Sequence, residues 1–252
     1  METLIKFHDG EELILDFNEG KHIYKVEGEY APSVTTILNS INKPALIPWA
    51  ASEGAKWFSN NAAGFLTKEL SVDDVAKGIR GAYKEKSRSA MDIGQMVHSW
   101  CEKAILWKLG AGDIPEMPDN EAAKSSIGAF QDWIKTHDIK WISAEQKVYN
   151  RRYKYAGTVD AVAEIDDEFC VVDFKTSARI YDEYHLQCAA YAECVQDIYG
   201  REVDSTWILR FDKKTGMFES AVSSDNSENF SAFYGALLLY SRLNALKNRK
   251  KR

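Results

Sequence analysis

Residues 157–177 read GTVDAVAEIDDEFCVVDFKTS, and the fold turns on them. Two apolar runs each carry a carboxylate: 157–165 holds Asp160, and 169–174 holds Asp173, with Lys175 just beyond. Asp166, Asp167 and Glu168 lie between them, a composition that turns one strand back on the next. Side chains alternate along a strand, so Asp173 and Lys175 share a face with Phe169 and Val171, while Cys170, Val172 and Phe174 take the other. A strand apolar on both faces is buried on both. A carboxylate and an ammonium placed there must pair with each other or with an ion.

If the two runs pair around the acidic turn, Asp160 and Asp173 come close together. Two carboxylates in an apolar site repel, and their pKa values separate unless a cation lies between them. A hard divalent ion with oxygen ligands resolves the conflict, and Mg²⁺ or Mn²⁺ suits one or two carboxylates with a phosphate. The plain alternative is a buried Asp173–Lys175 ion pair that serves the sheet alone.

A strand with Asp, a second strand with D-x-K and a following helix with Q-x-x-x-Y resemble the PD-(D/E)XK nuclease superfamily. The resemblance is nearest to its RecB/Cas4-like exonuclease branch. The carriers are GTVD ending at Asp160, VVDFK ending at Lys175, QCAAY from Gln187 to Tyr191, and GQMVH ending at His98. PSVTTIL, residues 32–38, resembles a segment of phage-type members and of mitochondrial genome-maintenance exonucleases. The likeness spans residues 30–191.

This resemblance implies a restriction-endonuclease-like α/β core, a mixed central sheet flanked by helices, with a helical N-terminal insertion over the cleft. It implies an Mg²⁺- or Mn²⁺-dependent deoxyribonuclease whose metal is held by His98, Asp160, Asp173 and the Phe174 carbonyl. Lys175 would serve the transition state, and Gln187 and Tyr191 would lie near the scissile phosphate or the DNA backbone. The expected partner is DNA, single-stranded or with free ends, in recombination, repair or phage DNA processing. A superfamily endonuclease and a non-catalytic DNA-binding subunit remain alternatives.

Other residues carry two readings each. Ser33 is placed to cap the helix after Pro32, with Thr35 and Thr36 bonding locally; by resemblance Ser33 and Thr35 contact phosphate. Glu102, four residues after His98, either orients its imidazole or lies on the surface. Glu145 lies on a strand over 141–149 and is a further acidic candidate. Lys147, Arg151, Arg152 and Lys154 form a basic run with no acid inside it, read as a solvated hairpin tip or as a DNA backbone clamp.

At 252 residues, 45% apolar and 28% charged, the chain has the composition of a soluble globular protein. It is read as one nuclease domain: small β elements over 1–30, a mostly helical region over 31–140, the core over 141–246 and a disordered basic tail over 247–252. The helices expected in the second region are 71–86, with Ser71 and Asp74 as a capping box, and 91–109. No apolar run is long enough to span a bilayer. No signal-peptide core is visible, and the expected compartment is bacterial or phage-infected host cytoplasm. The net charge of −6 speaks against nucleic acid as a partner, but residues 242–252 hold six basic side chains and no acidic ones. Cys101, Cys170, Cys188 and Cys194 form no C-x-x-C pair, so they read as buried thiols rather than ligands of an iron–sulfur cluster.

Overall fold

The computed structural model describes backbone and side chains for residues 1–41, 46–84, 93–212 and 217–249, and backbone alone for 85–92. Residues 213–216 and the end of the expected tail, 250–252, lie outside the described residues. The chain divides into two compact units, Asn42–Gln95 and the remainder, Met1–Ile41 with Met96–Arg252.

The smaller unit is an α-helical hairpin of α2 (Leu46–Leu66) and the first part of α3 (Val72–Lys108). Ser71 Oγ accepts from the Asp74 amide at 3.2 Å, and Asp74 Oδ2 accepts from the Ser71 amide at 3.1 Å, closing the reciprocal cap. The helices approach closely at glycine: a Cβ on Gly78 would lie 2.0 Å from the Trp57 ring. The two helices expected over 71–86 and 91–109 are one continuous α3. The polar stretch between them holds no proline or glycine, so nothing in it stops a helix.

The larger unit holds two sheets. The first is an antiparallel meander, β1 (Glu2–Lys6), β2 (Glu12–Asn18), β3 (Ile23–Val26) and β4 (Glu29–Ala31). The second is the mixed central sheet, ordered β5 (Ile139–Asn150), β6 (Tyr155–Ile165), β7 (Glu168–Lys175), β8 (Ser205–Phe211), β9 (Phe218–Ser223). The pairs β5–β6, β6–β7 and β8–β9 are antiparallel; β7–β8 is parallel, with α5 (Asp182–Tyr199) as its crossover. The β6–β7 turn is Asp166-Asp167 with φ of 51° and 70°, a two-residue reversal that Asp tolerates.

Helices cover both faces of this sheet. Phe169 and Val171 of β7 pack with residues of α1 (Val34–Leu38), α5 and α6 (Asn226–Arg249). Cys170, Val172 and Phe174 pack with α4 (Glu121–Lys135) and with Val97, Cys101 and Ile105 of α3. The fold is therefore α/β, with β7 buried on both faces. α6 continues to Arg249, so the first residues of the expected tail are helical. All four cysteines are buried free thiols. Among the described residues, no helix is long and apolar enough to cross a membrane.

Candidate metal centre

The centre forms where the regular ladder stops. Pairing between β6 and β7 runs from Ile165↔Glu168 to Ala161↔Val172 and ends there. Asp160 and Asp173 are the next positions on the two strands. The Phe174 amide, freed from the ladder, donates to Asp160 Oδ2 at 2.7 Å. Strand β6 also changes layer at this point. Ala161, Ala163 and Ile165 pack toward α3 and α4. Tyr155 instead donates to the Ala190 carbonyl of α5 at 2.8 Å, and a Cβ on Gly157 would lie 2.6 Å from Tyr191. In β5 the pairs Ala144↔Ala161 and Gln146↔Val159 stay in register on either side of Glu145, which stands opposite Asp160 without pairing to it. Glu145 has φ of 49°, a left-handed backbone that costs a non-glycine residue on the order of 1–2 kcal/mol.

This distortion gathers three side chains. His98 from α3, Glu145 from β5 and Asp160 from β6 each bring a ligand atom within 4.8 Å of the others. His98 Nε2 lies 2.9 Å from Asp160 Oδ2, yet it makes no hydrogen bond. The contact between the two is that of an ion pair. Asp173 is nearly fully buried and forms an ion pair with Lys175. Gln187 Nε2 donates to Asp173 Oδ1 at 3.1 Å and to the Tyr191 hydroxyl at 3.2 Å. The Lys175 ammonium also lies 5.1 Å from the Tyr184 ring centroid.

Charges reinforce one another here. Burial alone would lower the His98 pKa, but the Asp160 and Glu145 carboxylates lift it to about 9. Burial would raise Asp160, and His98, Lys175 and the Phe174 amide together hold it below the usual carboxylate range. Asp173 is pushed up to about 6 by burial and by Asp160, against the pull of Lys175. Burial would also favour neutral Lys175, but Asp173 and Asp160 outweigh it and keep the ammonium protonated. Glu102 rises to about 7 through burial and the Glu145 charge, with His98 opposing. A group of acids crowded around one imidazole and one ammonium makes this cluster a candidate site by its electrostatics.

The donor set fits a hard divalent cation: two carboxylates and an imidazole within reach of one point, with a buried Nε2 that has no hydrogen-bond partner. His98, Glu145 and Asp160 would hold it. Asp173 lies outside this trio, in contact with Lys175 and Gln187. Phe174 meets the centre through its amide, which bonds Asp160.

Glu145 is the residue that the sequence underrates. Its signal is its register opposite Asp160, which only the β5–β6 pairing supplies. Lys147 lies beside it, 3.3 Å from Glu145 Oε2 and 5.1 Å over the Phe17 ring, so it belongs to the margin of the centre and not to a hairpin tip.

Two other expected roles give way to structural ones. The basic run suggests a DNA clamp for Arg151, but this side chain bonds Asp9, Glu11 and Asp197 together, linking the first sheet to α5; its guanidinium is already committed to carboxylates. Ser33 Oγ accepts from the Thr36 amide at 3.1 Å and contacts the Thr35 hydroxyl at 3.1 Å, the capping geometry of α1. Arg152 lies 5.1 Å from the Tyr153 ring centroid.

No protein-family model and no curated protein matches this sequence. Among solved structures, the crystal structure of LHK-Exo in complex with dAMP aligns at 9% identity and a TM-score of 0.30, over 64% of this chain and 92% of that chain. Likeness at that level is too slight to support a functional argument.

Proposed function

We propose that this chain is a divalent-metal-dependent DNA nuclease of the PD-(D/E)XK type, acting as an exonuclease. One observation carries the reading: His98, Glu145 and Asp160 converge beside an Asp173–Lys175 pair where the β6–β7 ladder ends and Glu145 and Asp160 stay unpaired in the β5–β6 ladder. A half-buried cluster of charges is costly as a scaffold, and regular pairing with apolar side chains would serve the sheet better.

A divalent cation, Mg²⁺ or Mn²⁺, would supply Lewis-acid polarisation of a phosphate oxygen and would acidify the attacking water. His98, with its imidazole neutral, Glu145 and Asp160 would hold it, and Asp173 stands on the next strand, paired with Lys175. Lys175 stays charged and offsets the negative charge that grows on the phosphoryl oxygens in the transition state. Gln187 fixes the Asp173 carboxylate, and Tyr191 fixes Gln187, so the pair that positions Lys175 is anchored on α5.

Digestion of end-labelled linear and circular DNA, single- and double-stranded, with Mg²⁺, Mn²⁺ or EDTA tests the reading. An exonuclease releases mononucleotides or short products from linear ends and leaves circles intact. Cleavage of circles would replace it with the endonuclease reading, and no cleavage of any substrate would refute both.

A further inference from the structure

An open groove of about 770 Å³ lies on the larger unit between the β5–β6 hairpin, the residues after β4 and the end of α6. Three tyrosines line it, Tyr30, Tyr153 and Tyr240, together with Lys154, Lys247 and Asn244; none of its ten lining side chains is acidic. In a chain of net charge −6 that is a local reversal of sign. Tyr30 is 57% exposed, and its hydroxyl lies 3.2 Å from that of Tyr240, so the two side chains meet at their hydroxyl ends. Tyr153 continues the aromatic surface to Tyr234, with centroids 4.9 Å apart, and carries Arg152 over its ring. Lys247 and Arg249 extend the positive charge along the last turn of α6.

Aromatic faces interleaved with lysines are what an unpaired nucleic-acid strand requires: bases stack on the rings, and the ammonium groups neutralise phosphates. A duplex hides its base faces and would leave the rings unused. We propose that this groove is a binding track for single-stranded DNA, separate from the metal centre. Lys154 directly precedes β6, and Asp160 lies five residues beyond Tyr155, about 17 Å along the strand. A stacked strand rises about 3.4 Å per nucleotide, so the groove holds the substrate about five nucleotides from the centre. That placement rests on the nuclease reading; the binding itself does not.

The test is fluorescence anisotropy of a labelled 20-nucleotide single strand in EDTA, with wild type, Tyr240→Ala, Tyr240→Phe, Lys154→Ala and Lys247→Ala. Wild type binds the single strand more tightly than the matching duplex. Tyr240→Ala weakens binding about tenfold, in line with the loss of one stacked base, whereas Tyr240→Phe keeps the ring and stays within about twofold. Each lysine variant weakens binding and lowers the slope of log K against log salt by about 0.7. The lysine variants keep the proposal open to refutation if Tyr240→Ala fails to fold. Unchanged affinity and salt slope in both lysine variants would overturn it, as would equal affinity for duplex. Metal-dependent cleavage with no such effects removes the groove and leaves the nuclease; groove-dependent binding without cleavage does the reverse.

Discussion

Metal binding at this centre should release a proton, and the proton should come from His98. The imidazole titrates near 9 because the Asp160 and Glu145 carboxylates stabilise its charged form. A ligating imidazole must be neutral, so cation and proton compete for it. Below pH 9 the metal-free site carries the proton, and each unit of rising pH makes the neutral imidazole about ten times more populated. The apparent Kd for Mn²⁺ should therefore fall about tenfold per pH unit between 6.5 and 8.5, then level off above 9. Calorimetric titration with Mn²⁺ in two buffers of different ionisation enthalpy counts the proton: close to one at pH 7.5, and about half of one near pH 9. The variant His98→Gln should bind more weakly and show no slope above pH 7. A wild-type Kd that is flat from pH 6.5 to 8.5, with no proton released, would show that His98 is not a ligand.

Lys175→Ala should lower the single-turnover cleavage rate by about 100-fold or more while DNA affinity stays near that of wild type, because the group acts in the transition state; a wild-type rate in a protein that merely melts earlier would reduce Lys175 to a partner of Asp173. Lys175→Arg should restore little, since a planar fork cannot replace a compact ammonium. Gly157→Ala should cost about 1–3 kcal/mol through the 2.6 Å clash with Tyr191; a melting temperature equal to wild type would show that Tyr191 moves freely aside. Arg151→Ala should lower the melting temperature by several degrees by leaving three carboxylates without their shared cation, and cleavage measured below the transition should be unchanged. A specific loss of DNA affinity in that variant would return Arg151 to the role of a backbone clamp.

The central hairpin is legible in the sequence because its signals are local. Period-two alternation fixes which side chains share a face of β7, and Asp166-Asp167 supplies the reversal. Ser33 and Ser71 cap their helices as their residue types suggest. The features that escape a sequence reading depend on events far apart in the chain. Glu145 joins the centre because the β5–β6 pairing sets it opposite Asp160 and its backbone turns left-handed at that residue, and no local pattern announces either. Arg151 looks like part of a basic run until Asp9 and Asp197, distant in sequence on either side, close on it. A polar stretch in the middle of α3 resembles a loop, although only proline, glycine or a competing cap would have ended the helix there.

The most direct measurement is the single-turnover rate on an end-labelled single strand, for wild type and Asp160→Asn, with saturating Mn²⁺ and again with EDTA. Asp160 is the residue that His98 Nε2 and the Phe174 amide both approach. A centre built there should lose about 100-fold or more in Asp160→Asn, and wild-type cleavage should vanish in EDTA. Cleavage by Asp160→Asn at the wild-type rate, or wild-type cleavage that persists in EDTA, would contradict the account.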